Sequence, residues 1–462
     1  MQLNKGRVEF ECGNLLLERG FYWAKAMALS YAHEGDAVGD WYEASLPGRN
    51  AFCMRDVAHY ALGAQVLGLI SHNKNMLRKF AQNISETRKF CSYWEITKDN
   101  EPLLNDYTND ADFWYNLPAN FDILCTCWKL FCWTNDHDYL HLPDFNTFYH
   151  ATVSDYINAW DKNGDGIPER EIPGSRRGIP SYEERDEYSD AMVMSDLIAV
   201  QASAFDAYAR IHRMKGNDYL FHEYSKKASD LRAYYDQKWW DSQSSRFCTV
   251  MLKDGAFPPF SGSGEDLGIL PLYYGLVTDQ VKLEIQMERM KHCDSAFVEY
   301  LTYLPEVFYQ ADMDEEACDC LLKLTDPNLK RREYPEIAFS VIGAVAKGIM
   351  GMEPHAEKMK ITTEARLPKA LNFAVMDNIP VFGGEIRIEQ TENKQIEFTN
   401  RTGSAVRWRP VFHCDSGKIY FDEKATETEH GKKPCGQSVS SAEIMVENGH
   451  KVKAEIKESG GK

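Results

Sequence analysis

Residues 181–187 read SYEERDE, four carboxylates in seven positions beside Tyr182, after the loop-rich run NGDGIPEREIPGSRRGIP. Acids so placed can be a solvated linker, a calcium loop, or the proton-donating half of a carboxylate catalyst. Further groups with gripping or proton-moving chemistry are scattered along the chain. Arg55 and Asp56 stand in PGRNAFCMRDVAHY, Asp112 and Trp114 in NDYTNDADFWYN, and Trp41 in GDWYEASLPGR. Glu265 and Asp266 follow in SGSGEDLG, Glu299 in FVEYLTYLPE, and Glu333 and Glu336 in REYPEIAF. Glycoside hydrolysis needs such a set: one carboxyl to protonate the leaving oxygen and a second across the sugar. Trp and Tyr are side chains on which sugars stack. Each acid taken alone has a simpler reading as a helix-capping carboxylate.

The composition narrows the partners. Of 462 residues, 44% are hydrophobic and 26% charged, the balance of an ordinary globular protein. Against 70 acidic residues stand 52 basic ones, a net charge of −18, which argues against nucleic acid or an anionic membrane and favours a neutral substrate. MQLNKGRVEFECGN has no apolar signal core, and no run of about 18 apolar residues occurs, so a cytoplasmic location is expected. The 12 cysteines form no CxxC pair and no zinc-type cluster, and are expected to be reduced and mostly buried.

The elements that must position these groups are mainly helical. In SDLIAVQASAFDAYARIHR, Leu197, Val200, Ala204, Tyr208 and Ile211 recur at three- and four-residue steps, one buried stripe. RDVAHYALGAQVLGLI and IAFSVIGAVAKGIM are apolar nearly all round and rich in Ala and Gly, as helices packed on several sides are. The periodicity predicts about twelve segments: 15–33, 55–71, 73–91, 113–133, 144–160, 190–213, 217–240, 266–274, 278–291, 297–310, 314–324 and 337–350. Near Pro354 the period changes to two. Ile386 and Ile388 alternate with Arg387 and Glu389, Ile396 and Phe398 with Glu397 and Thr399, and ENK between them reads as a hairpin turn. The expected architecture is mainly α: a barrel of helical hairpins over 1–355, then an antiparallel β-sandwich over 356–462.

The unusual acids head the even-numbered segments, not the odd ones. With up-down connectivity, alternate helices point the same way, so those N-terminal ends converge on one face. Carboxylates there sit near the positive ends of helix dipoles.

Arg55-Asp56 before a small-residue helix resembles glucoamylases and other six-hairpin glycosidases with an (α/α)6 barrel. In them an Arg-Asp pair at this point holds hydroxyls of the terminal sugar. DKNGDGIPE (161–169), leading to a tyrosine followed by an acid, is similar to glucosylceramidase-type and debranching enzymes, whose general acid follows such a turn. Tyr182-Glu183-Glu184 stands where glucoamylases carry Trp-Glu-Glu. The last helix with its β-domain resembles rhamnosidase-like members. The resemblance implies Glu183 as the acid, with Glu184 as the second choice or a hydroxyl-binding group. It implies Glu336 as the base, with Glu299 and Glu333 behind it. Arg55, Asp56 and Asp112 would grip the sugar, with Trp114 and Trp41 as stacking faces. The expected activity is removal of a terminal sugar from an oligosaccharide or glycoconjugate, by inversion.

No cofactor is expected. DKNGDG has the opening of a calcium loop in Asp161, Asn163 and Asp165, but Ile172 stands where the bidentate Glu belongs, and a plain turn is the simpler reading. Competing functions on the same barrel are a sugar epimerase or polysaccharide lyase, for which His59 and His72 are the histidines near a barrel mouth, and a carbohydrate-binding protein without catalysis.

Overall fold

The computed structural model describes residues 5–183, 188–258, 268–293, 297–433 and 436–457. All twelve expected segments contain helix. The fourth starts only at Ala119, after Pro118, because residues 112–116 form two short strand pieces instead. The tenth breaks into Val298–Leu301 and Leu304–Gln310, and Pro305 sits in the first turn of the second piece, where its missing N–H costs nothing. The fifth likewise divides into Pro143–Val153 and Asp155–Trp160.

Six helices form a closed inner ring. Met54–Val66 touches Ala119–Thr134, which touches Ser195–Met214, and the contacts continue through Ile269–Tyr273 and Leu304–Gln310. Pro335–Ala344, extended by a π turn over Val345–Ile349, returns to Met54–Val66 and closes the circle. These are the even-numbered segments, so the fold is the expected (α/α)6 barrel. The odd-numbered helices lie outside and bury one face. Asp218–Lys238 buries only Tyr224, Ala228, Tyr235 and Asp236, whereas Met54–Val66 is buried almost throughout. Between the second and twelfth segments the helices nearly touch: a Cβ on Gly63 would lie 2.0 Å from the Phe339 carbonyl oxygen.

Two sheets follow the barrel. Phe373–Val381, Gly384–Thr391 and Gln395–Arg401 pair as a meander whose register sets Ile388 opposite Phe398, and Glu392 and Asn393 turn the hairpin at φ 52° and 54°. The second sheet is built around Val406–Phe412, which runs parallel to Lys360–Ala365. All other neighbours in both sheets are antiparallel. Phe398 of one sheet stacks on Trp408 of the other at 5.2 Å between ring centres, which marks the sandwich core.

Two short strands from outside 356–462 also join these sheets. Glu9–Cys12 pairs with Phe373–Val381 as the edge of the first sheet, and Glu353–His355 already belongs to the second. A four-residue strand is too short for its alternation to stand out beside a helical segment. One continuous hydrophobic core joins barrel and sheets. No helix among the described residues is long and apolar enough to cross a membrane.

Candidate active site

The N-terminal ends of the inner helices open onto a cavity of about 420 Å³. Its wall holds Cys53, Arg55 and Asp56 from the second segment, Leu270 from the eighth, and Phe297, Glu299, Tyr300 and Tyr303 from the tenth. Glu336 comes from the twelfth and Arg331 and Tyr334 from the turn before it, Tyr182 and Glu183 from the loop before the sixth, and Ser45, Leu46, Arg49, Trp94 and Glu95 from connecting segments. Residues distant in sequence therefore meet around one hollow.

The loop bearing Glu183 is held from below by two inner helices. Asp196, in the first turn of Ser195–Met214, accepts from Ser181 Oγ at 2.9 Å and from the Tyr182 N–H at 2.8 Å on the same oxygen. Asp122, in the first turn of Ala119–Thr134, accepts from Tyr182 Oη at 3.0 Å. Asn116 Nδ2 donates to the Ser181 carbonyl at 2.6 Å, and the Glu183 N–H donates to Ser181 Oγ at 2.8 Å. Glu183 is only 7% exposed at the cavity wall. Burial pushes the Asp122 and Asp196 carboxyls up to about 6, against the hydrogen bonds they receive.

Glu336 is buried in the first turn of the last inner helix. Tyr60 Oη donates to its Oε2 at 3.2 Å, while Oε1 is buried with no partner among the described residues. Its pKa is raised above the usual carboxylate range, first by burial and then by the charges of Asp56 and Glu299; Arg55 and Arg331 pull the other way. Each arginine of the wall is already engaged by a carboxylate. Arg49 Nη1 meets Glu95 Oε1 at 2.8 Å, Arg55 Nε meets Asp56 Oδ1 at 3.1 Å, and Arg331 Nη2 meets Glu299 Oε1 at 2.5 Å.

Of the residues expected at the site, Glu183, Glu336, Arg55, Asp56 and Glu299 come together, and Glu184, Glu265 and Asp266 lie outside the described residues. The others are placed elsewhere. Trp41 is fully buried with Nε1 donating to Asp36 at 2.7 Å, so no sugar can reach its ring. Asp112 sits on an exposed hairpin, bound by Arg176 at 2.8 Å. Trp114 Nε1 donates to Asn116 Oδ1 at 2.8 Å and so braces the residue that holds Ser181. Glu333 is exposed and takes no part in the wall, though its carbonyl accepts from Tyr31.

In DKNGDG, Asp161 turns both carboxylate oxygens to the N–H groups of Gly164 and Gly166, at 2.7 and 2.8 Å, so the loop closes on itself. One other group, Asp312, Glu364 and His413, has the spacing of a metal site among the described residues, but Lys433 and Arg366 already stand against its carboxylates. His59 and His72 do not line the cavity. Burial holds their pKa values down at about 3 and about 4, and His59 is tied to Thr302 and Ser340.

Sequence reasoning missed Glu95, Arg49, Asp122, Asp196 and Asn116, and weighed Arg331 only as an ion-pair partner of Glu336. Asp122 and Asp196 stand in the first turns of the observed helices but inside the expected segments 113–133 and 190–213, so the rule of acids heading even segments passed over them. Nothing in the local pattern marks Glu95, which reaches the cavity only because Glu95–Thr97 pairs with Ala51–Cys53.

No family model and no curated protein matches the sequence. Solved structures do match in fold. An α-L-rhamnosidase from Dictyoglumus thermophilum aligns at a TM-score of 0.62 and 15% identity, over 98% of this chain and 50% of that one. An α-L-rhamnosidase from Aspergillus terreus aligns at 0.61 and 12%, over 96% and 50%. A structure named sialidase aligns at 0.57 and 11%, over 98% and 41%. This chain thus spans half or less of the length of these three structures. At these identities the likeness is one of fold.

Proposed function

We propose that this chain is a glycoside hydrolase that removes a terminal sugar from an oligosaccharide or glycoconjugate, with Glu183 as proton donor and Glu336 as base. The observation that carries this is the meeting of two buried glutamates, one from a loop and one from the first turn of the last inner helix, in the wall of one cavity beside an Arg-Asp pair. The cavity, at about 420 Å³, has the size of a small-molecule site. Trp94, Tyr182, Tyr300 and Tyr334 supply aromatic wall for sugar faces. The fold neighbours named rhamnosidases support a glycosidase over other chemistry on this barrel.

A base works best with a pKa near the operating pH, and the neighbours of Glu336 push it in that direction. The Arg331–Glu299 and Arg55–Asp56 pairs keep opposite charge close to it. Because the wall arginines are paired, an uncharged terminal sugar is favoured over a sugar acid. His59 lies buried behind Tyr303 of the wall, tied to Thr302 and Ser340 and with its pKa held low, which disfavours an epimerase or lyase built on that histidine. Inversion is proposed with a water between the two carboxyls, which requires them about 6.5–9.5 Å apart.

Aryl glycosides of glucose, galactose, mannose, rhamnose, arabinose and glucuronic acid test the activity and its sugar. On the one that is cleaved, Glu183→Gln and Glu336→Gln each lower kcat by about 100-fold or more, the scale of a lost acid or base, while sugar binding persists. Normal turnover in both variants sinks the assignment. Proton NMR of the first-formed anomer decides inversion.

A further inference from the structure

One carboxyl of the cavity wall has no part in the two-glutamate chemistry. Glu95 opens a short strand that pairs with Ala51–Cys53, opposite Cys53 and one residue from the helix that carries Arg55 and Asp56. It is 4% exposed. Arg49 holds its Oε1, while its Oε2 is buried without a partner among the described residues, and the residue lines the cavity. A buried carboxyl oxygen left unpaired is costly, and Glu336 Oε1 and Glu299 Oε2 of the same wall are left unpaired among the described residues too, so these oxygens point to ligand atoms in the cavity.

We propose that Glu95 is a sugar-binding residue, its Oε1 fixed by Arg49 and its Oε2 hydrogen-bonded to a ring hydroxyl of the terminal sugar. The proposal rests on the hydrolase reading and adds to it a contact from the strand paired with Ala51–Cys53, just before the helix of Arg55 and Asp56. Burial first, then Asp106 and Asp56, raise the Glu95 pKa to about 8, and Arg49 opposes them. Protonated, the carboxyl is a hydrogen-bond donor in a dry wall; ionised, it is an acceptor paired with Arg49. A sugar hydroxyl, both donor and acceptor, matches either protonation state.

The test compares wild type, Glu95→Gln and Glu95→Ala by calorimetric titration with free glucose, galactose, mannose, rhamnose and arabinose, and with the monodeoxy analogues of whichever binds. Kinetics on the matching aryl glycoside run in parallel. The amide of Glu95→Gln still offers a donor, so its Kd stays within about threefold of wild type. Glu95→Ala raises Kd and KM about tenfold, the worth of one hydrogen bond, with a smaller effect on kcat. One monodeoxy analogue, lacking the contacted hydroxyl, binds wild type and Glu95→Ala equally; a merely structural glutamate would weaken every analogue alike, and that result overturns the proposal. If Glu95→Ala does not fold, Glu95→Ser carries the same comparison. A protein that hydrolyses a glycoside and is indifferent to Glu95→Ala removes the role of Glu95 alone. Failure on the whole panel removes the hydrolase reading and this one with it.

Discussion

Glu336 is tuned by its neighbours rather than by its own position in a helix. A carboxylate in a first helical turn is ordinarily favoured by the dipole, yet burial and the charges of Asp56 and Glu299 outweigh that and raise its pKa. The sign of a perturbation follows. As a base Glu336 acts when ionised, so kcat/KM falls on the acid side of its pKa. Glu299→Gln removes a negative neighbour and releases Arg331, both of which favour the ionised form. The acid limb of the pH profile should move to lower pH in Glu299→Gln. An unmoved limb, or one displaced upward, would exclude Glu336 as the group that sets it.

The inner helices position the site by how closely they pack. Gly63 faces the backbone of Phe339, and Phe339 lies on the helix that begins with Glu336. A methyl group there meets a carbonyl oxygen in the middle of a helix, which cannot move as a flexible side chain would. Gly63→Ala should therefore destabilise by about 1–3 kcal/mol through overpacking, although alanine is the better helix former. Urea unfolding measures it; an unchanged or higher midpoint would show that the two helices slide apart without cost. The helices at the other side of the ring do a different job, their first-turn acids Asp122 and Asp196 pinning the loop of Glu183.

Barrel and sheets are joined by a buried ionic cluster. Arg366, just after strand Lys360–Ala365 of the second sheet, donates to Asp314 of the eleventh segment at 2.9 Å and to the Tyr309 carbonyl at 2.7 Å. Lys433 reaches Asp312 at 3.0 Å and Glu364 at 2.5 Å, and His413 meets Glu364 at 2.5 Å. Burial alone would raise the Glu364 pKa, but His413, Arg366 and Lys433 together hold it down at about 2. Removing one partner of such a cluster strands buried charge, at a cost of about 3–5 kcal/mol. Arg366→Met should lose stability on that scale in denaturant titrations, and a loss below about 1 kcal/mol would show the cluster to be dispensable.

The residue order by itself determined the helical segments, the switch to strands and the heading of alternate helices by acids. Each is a local signal: stripes such as Leu197–Ile211, the alternation of Ile386, Ile388, Ile396 and Phe398, and acids just before apolar runs. Convergence of Arg55, Asp56, Glu183, Glu299 and Glu336 was expected from up-down connectivity, in which alternate helices point the same way, and the five line one cavity. Only tertiary structure decided which aromatic faces the hollow: Trp41 is core and Trp94 is wall, though their local surroundings look alike. Only it could bring Glu95 beside Asp56, withdraw Asp112 to an exposed ion pair, and carry Glu9–Cys12 across to the distant sheet. Periodicity records which side of an element is buried, whereas a site is made by charges and strand partners far apart in the chain, whose energies exist only once the ring has closed.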